Sequence, residues 1–212
     1  QNAHHVQKVT VYEMEDGSIN LEADILYQNI KPDNTESSYT IHYSTLLEWP
    51  AEGTLPLFRN ISIQQTGEAP VMPFADAYPK NRMQALMHYW LYLMERLDGQ
   101  TEPFREILVE DFELDFSSSP AMRNMEEFQV WVDTVPATLE SSNHYPRNFS
   151  VKVTGDHAYV VQVVFAWKGL TEEGKKLKMT TAHTWEVVDD ANERFARIKT
   201  MKVKQMEPLT EY

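Results

Sequence analysis

Hydrophobic and polar positions alternate near the start of the chain, first at Val9 and Val11 and then regularly at Ile19, Leu21, Ala23, Ile25 and Tyr27, with Asn20, Glu22 and Asp24 between them. A period of two is that of a strand with one face buried. Lys31-Pro32-Asp33-Asn34 carries turn chemistry, and residues 39–49 and 58–65 read as two further strands. No helix is expected before about residue 81. Gly67, Pro70, Pro73 and Pro79 mark residues 67–80 as a linker. The period then changes. Met83, Leu86, Met87, Tyr89, Trp90, Leu91, Leu93, Met94 and Leu97 cover more than half the circumference of a helix, which predicts a deeply packed one. Gly99 is placed to end it. A second helix is expected over residues 102–109, with Pro103 in its first turn. A third is expected over residues 125–139, bent or broken by Pro136. Strands return at residues 149–153, 158–167, 177–188 and 195–205.

The two strand-rich stretches match. At an offset of 140, His4 falls on His144, Val11 on Val151, and Asp16 on Asp156. The series from Ile19 to Tyr27 falls on Tyr159, Val161, Val163, Phe165 and Trp167. One extra residue in the second copy would then align His42 with His183, and Gln65 returns to Gln205 at 140. The expected organisation is a strands-only half copy in residues 1–66, a linker, and a complete α+β domain in residues 81–212. A curved sheet with one uncovered apolar face is unstable in water. The first copy is therefore expected to borrow cover from the second, from another chain, or from residues outside this sequence.

Several short motifs occur in a telling order: Tyr92-Leu93-Met94-Glu95-Arg96-Leu97-Asp98, then Phe104 and Ile107, then Glu110 to Phe116, Ser142-Asn143-His144-Tyr145, Gly155-Asp156-His157-Ala158-Tyr159 and Thr184-Trp185-Glu186-Val187. In this order the region from about residue 76 to 212 resembles a SnoaL-like domain of the nuclear transport factor 2-like superfamily. The resemblance implies a cone, in which three helices close a strongly curved antiparallel sheet around an apolar pocket. Its members include isomerases, dehydratases, dehydrochlorinases, epoxide hydrolases and polyketide cyclases, alongside proteins that only bind, so fold alone leaves function open.

Asp98 lies at helical spacing from Met87, Leu91 and Met94, which would aim its carboxylate into an apolar stripe and raise its pKa; the competing reading is an exposed Asp in the Leu-Asp-Gly turn. The resemblance implies a catalytic aspartate at Asp98 and, just before the first strand of the second copy, a proton-abstracting histidine at His144, which a carboxylate would orient. His144 is alternatively a structural histidine of the fold. His183 shares a strand face with Met179, Thr181 and Trp185 and is a candidate second pocket histidine or a core one. Tyr92, Trp131, Trp167 and Trp185 are candidate pocket-lining aromatics or plain core. Two function classes follow. One is a cofactor-independent lyase or isomerase using an Asp98–His144 acid/base pair on a small apolar substrate. The other is a non-catalytic ligand- or protein-binding module that dimerises. Contact between the two side chains in a closed pocket would favour the first, and either side chain facing solvent the second.

Charge and composition narrow the partners. A formal net charge of −13 disfavours nucleic acid and anionic membranes. The basic positions Lys175, Lys176, Lys178 and Lys199, Lys202, Lys204 read as a solvated turn and a solvated strand face. With no cysteine there is no disulfide, thiolate nucleophile or Cys-type zinc site. No Gly-rich phosphate loop, nucleophile elbow or His-Glu-x-x-His pattern occurs. No cofactor and no metal is expected. A homodimer, or pairing of the two copies within the chain, is expected. No targeting signal is visible in the sequence from Gln1, which suggests a cytoplasmic protein, either trimmed upstream or given as a fragment.

Overall fold

The computed structural model describes residues 1–49, 55–117, 119–134 and 136–212. The chain forms two compact units, residues 1–78 and 79–212.

The first unit is a meander of four antiparallel strands in the order β1-β2-β3-β4: β1 (Asn2–Glu13), β2 (Ile19–Ile30), β3 (Glu36–Glu48) and β4 (Leu57–Glu68). Its inner face carries the Ile19-to-Tyr27 series together with Tyr43, Thr45 and Leu47. Ala23, Ile25, Thr45 and Leu47 are buried there. The linker is tied to this sheet through Gln28, whose Nε2 donates to the carbonyls of Met72 (3.3 Å) and Pro73 (3.4 Å) while its Oε1 accepts from Ala75 N (3.2 Å).

In the second unit, helix α1 (Tyr78–Glu95) precedes a 3-10 helix (Glu102–Glu106), strand β5 (Leu108–Asp115), helix α2 (Met125–Thr134), a 3-10 turn (Pro136–Thr138) and strands β6 (Leu139–Gly155), β7 (Ala158–Thr171), β8 (Lys176–Val188) and β9 (Arg197–Glu211). The sheet order is β5-β9-β8-β7-β6, with β5 parallel to β9 and every other pair antiparallel. This is the expected α+β architecture. Asp76 starts α1 by accepting from Tyr78 N (2.9 Å), and Pro79 needs no donor in the first turn. Asn124 starts α2 by accepting from Glu127 N (2.9 Å), and the Glu127 carboxylate reaches back to Arg123 N (2.7 Å). Met83, Leu86, Met87, Trp90, Leu91 and Leu93 of α1 are buried in one cluster with Phe128 of α2 and with Val161, Val163, Phe165, Trp185, Ile198 and Met201 of the sheet. Trp90 sits at its centre, in ring contact with Phe104, Phe128 and Trp185. Each large apolar side chain withdrawn from water contributes roughly 1.5–3 kcal/mol, so the helical layer and the sheet hold one another.

Three local readings change. The second helical segment is a short 3-10 helix and gives way to β5, a strand that the sequence reading did not separate. Phe112 and Leu114 alternate inward there, but Glu110-Asp111 interrupts the pattern where the pairing with β9 shifts register. The third helix stops at Thr134, and Pro136 opens the next turn; Val135, inside the expected helix, lies outside the described residues. Finally, β6 starts at Leu139, ten residues early, because as an edge strand it needs no apolar alternation there.

The two sheets share one register. Adding 140 to both members of Ile19↔Leu47 gives Tyr159↔Val187, and the same step carries Leu47↔Phe58 onto Val187↔Ile198. Irregularities coincide as well: the breaks after Leu46 and Thr40 in β3–β4 recur after Glu186 and Thr180 in β8–β9. Left-handed turn residues coincide too, Gly17 with His157 and Asn34 with Gly174. The extra residue inferred from sequence is therefore not there. Tyr43, facing Ala23, is the counterpart of His183, facing Val163. Matching histidine to histidine had slipped the register by one, and such a slip moves a side chain to the opposite face.

Candidate functional site

His144 lies on β6 opposite Trp167 of β7, with a side chain only 18% exposed. The carboxylate that meets it is Glu95, in the last turn of α1. Glu95 Oε1 accepts from the His144 backbone N (2.5 Å) and lies 3.0 Å from its Nδ1. A carboxylate only accepts, so Nδ1 carries the imidazole proton and the lone pair of the neutral ring is on Nε2. Two donors of one residue on a single oxygen hold both the strand backbone and the ring plane.

Behind this pair stands a second imidazole. Phe165 lies between the two, edge-to-face with His144 (5.6 Å between centroids) and with His183 (4.8 Å). His183 Nδ1 accepts from Trp185 Nε1 (3.5 Å), which leaves the proton on Nε2, beside Thr181 Oγ1 (3.0 Å). Burial, assisted by the neighbouring His144, pushes the His183 pKa down to about 3, so this ring is neutral at physiological pH.

Asp98 is engaged elsewhere. Its Oδ1 accepts from Gln100 N (3.0 Å) and its Oδ2 pairs with Arg96. The reason is in the backbone. α1 ends at Glu95, and Leu97 adopts a left-handed φ of 53°, so helical periodicity no longer sets the direction of residue 98. The stripe Met87–Leu91 continues in steps of four to Glu95, and that signal was present in the sequence. Glu95 is the candidate residue the sequence reading missed.

The expected aromatic lining is dispersed. Trp185 is fully buried against Trp90. Trp131 packs on Phe116 and Phe128. Trp167 is buried, with its indole N–H on Ser142 Oγ (2.9 Å) and its ring so close over Gly169 that a Cβ there would lie 2.4 Å from it. Tyr92, one turn before Glu95, stacks on Tyr89 and lies beneath the Arg96 guanidinium. Of these five candidates, Trp167 lies opposite His144 in the strand pairing, and His183 shares Phe165 with it.

α1 is also anchored at its start. Arg82 donates Nε to Asp189 (2.9 Å), Nη1 to the carbonyl of Arg194 (2.6 Å), and Nη2 to those of Glu193 (2.8 Å) and Asp190 (3.2 Å). Asp189 is almost fully buried, with 1% of its side chain exposed. This clamp fixes the helix against the β8–β9 loop and with it the position of Glu95.

The first unit has a charged cluster of its own on the outer face of its sheet. His42 lies between Asp24 (2.8 Å from Nδ1) and Glu22 (2.5 Å from Nε2), beside an open cleft of about 680 Å³ lined in part by Lys8, Tyr12 and Glu13. Hydrogen bonds to Asp24 and then to Glu22 raise the His42 pKa. The equivalent outer positions of the second unit are Val164, Gln162 and Ala182. Among the described residues no group of His, Asp and Glu side chains has the arrangement of a metal site, and no helix is long and apolar enough to cross a membrane.

A family model described as a SnoaL-like domain matches residues 80–199. Solved structures with the same fold cover most of their own length on this chain. A candidate aromatic ring hydroxylase from Novosphingobium aromaticivorans is 14% identical with a TM-score of 0.58, over 66% of this chain and 96% of that one. A candidate scytalone dehydratase from the same organism is 12% identical with a TM-score of 0.55, over 63% and 87%. A hexachlorocyclohexane dehydrochlorinase from Novosphingobium barchaimii is 12% identical with a TM-score of 0.54, over 63% and 89%. At these identities the likeness speaks for fold. Comparison with curated protein sequences finds no match.

Proposed function

The chain belongs to the SnoaL-like domain family, and on that footing we propose that it is a cofactor-independent lyase or isomerase in which His144 is the base. One observation carries the reading: Glu95 Oε1 accepts from both the backbone N and Nδ1 of His144, which fixes the ring with the Nε2 lone pair free. The substrate is a small apolar compound with an acidic C–H beside a carbonyl or a leaving group. His144 Nε2 takes that proton, and the C–H electron pair forms a new double bond. In elimination the leaving group departs with its bonding electrons; in isomerisation the proton returns at another carbon. The Glu95 carboxylate stabilises the imidazolium that forms. His183, held neutral by burial, adds no second positive charge beside it.

The experiment follows solvent deuterium into a panel of β-hydroxy, β-halo and enolisable carbonyl compounds by mass spectrometry. Wild-type protein is expected to incorporate label or release a leaving group from at least one member. His144→Ala should abolish this, and Glu95→Ala should slow it about 10²-fold, the lower end for a positioned acid–base group. If Asp98→Asn abolishes turnover and Glu95→Ala does not, the carboxylate role belongs to Asp98. The surface position of Asp98, engaged with Arg96 and Gln100, favours a second reading, a non-catalytic binding module. That reading predicts compounds that stabilise the protein without reacting.

A further inference from the structure

The repeat separates the two edges of the first sheet. β1 is an edge strand, and so is its counterpart β6 in the second unit. β4 is an edge strand, but its counterpart β9 is covered by β5 on the same side. The pairing there includes Leu108↔Ile198 and Leu114↔Met201. Ile198 and Met201 are fully buried, whereas their counterparts Phe58 and Ile61 are 63% and 50% exposed, and Ile63 is 58% exposed. Among the described residues β4 is thus the one sheet edge whose equivalent is filled in one copy and open in the other.

We propose that β4 pairs with β4 of a second copy of this chain, antiparallel across a twofold axis at Ser62. Four features single out this occupant. Residues 57–66 are all exposed. Residues 60–67 carry no charge and no proline, so the devices that keep edges apart are missing, whereas β1 has Lys8 and a register break at mid-strand. The breaks in β4 lie at its two ends and leave Asn60–Gln65 regular. The stretch is also self-complementary: with Ser62 facing Ser62 of the partner, each Ile61 faces the partner's Ile63. That places four isoleucines together on the face continuous with Tyr43 and Thr45, and Asn60 opposite Gln64 on the other. Two sheets become one of eight strands, and no surface of the second unit is required. The interface brings uncharged strands together on a chain of net charge −13, so salt should strengthen it by screening the long-range repulsion.

The chain has no cysteine, which makes the register directly testable. Ser62→Cys is expected to give a disulfide-linked dimer under mild oxidation, while Thr10→Cys on β1, at the opposite edge of the sheet, gives no disulfide-linked species. Sedimentation of the full wild-type chain over a concentration series should show a dimer that tightens with salt. The double variant I61K/I63K, at two exposed positions, should sediment as a monomer with an unchanged circular dichroism spectrum. A wild-type chain that stays monomeric throughout would overturn the proposal. So would a dimer that survives both lysines, or equal cross-linking from Thr10→Cys.

Discussion

The two units carry the same four-strand framework and differ in what lies on it. In the second, Tyr159, Val161, Val163 and Phe165 are buried in one cluster with the helical layer, and Trp167 is buried as well. In the first, Ala23 and Ile25 are buried while Ile19, Leu21 and Tyr27 are only half-buried. Strand register survives this difference unbroken from β2–β3 to β7–β8, and two breaks of β3–β4 and two left-handed turn residues recur with it. Register is therefore a property of turns, bulges and inward–outward alternation within the sheet. The site depends on something else. His4 and His144 occupy the same position in the framework, but the helix that brings Glu95 to His144 has no counterpart among the described residues of the first unit. What sets His144 apart from His4 is the added helix that carries Glu95 to it.

Substitutions at matched positions should break this symmetry most strongly in the core. Trp185 and Thr45 are counterparts at the 140 step. Trp185→Ala empties the centre of the aromatic cluster and should cost about 3–5 kcal/mol. Thr45→Ala removes one hydrogen bond, to Leu21 O (3.0 Å), and should cost about 1 kcal/mol. Urea denaturation followed by circular dichroism measures both. Comparable losses at the two sites would contradict the asymmetry.

Next in size is the clamp. Arg82→Ala removes the partly buried ion pair to Asp189 together with the donors to three loop carbonyls, an expected loss of about 3 kcal/mol. Amide exchange should rise first at residues 189–194 and at the start of α1, with the first sheet unaffected.

The two units should also respond to pH in opposite senses. His183 has a folded pKa of about 3 against an ordinary 6.5. Between those values the unfolded chain binds the proton that the folded chain refuses. Stability is then complete above about pH 6.5 and falls by a few kcal/mol as the pH drops toward 3. His183→Gln should flatten this slope in the second unit. His42 has a raised pKa, so its contribution is full below about 6.5 and is lost as the pH rises through its folded value. Its side chain is 35% exposed, and the effect should be small, visible as faster amide exchange in β2 and β3 at mildly alkaline pH and absent in His42→Gln.

Much of this was legible in the sequence because alternation survives in strands with one wet face. The Ile19–Tyr27 series named both β2 and, at 140, β7. β5 escaped because Glu110-Asp111 interrupts its alternation at a register shift. The pairing of His42 with His183 failed because residue identity was allowed to outweigh the parity of inner and outer positions. Asp98 drew attention because a helical stripe was extended three residues past the end of α1, where Leu97 turns left-handed. Glu95, on the same stripe and inside the helix, was the carboxylate within reach.

The proposed chemistry requires Glu95 to hold His144 as the Nδ1–H tautomer, and long-range ¹H–¹⁵N correlation of the histidine side chains reads this without any substrate. Neutral His144 should appear with the proton on Nδ1 in the wild-type chain and in Asp98→Asn, and should relax toward the Nε2–H form in Glu95→Ala. A wild-type His144 protonated on Nε2, or a tautomer that follows Asp98 rather than Glu95, would contradict the account.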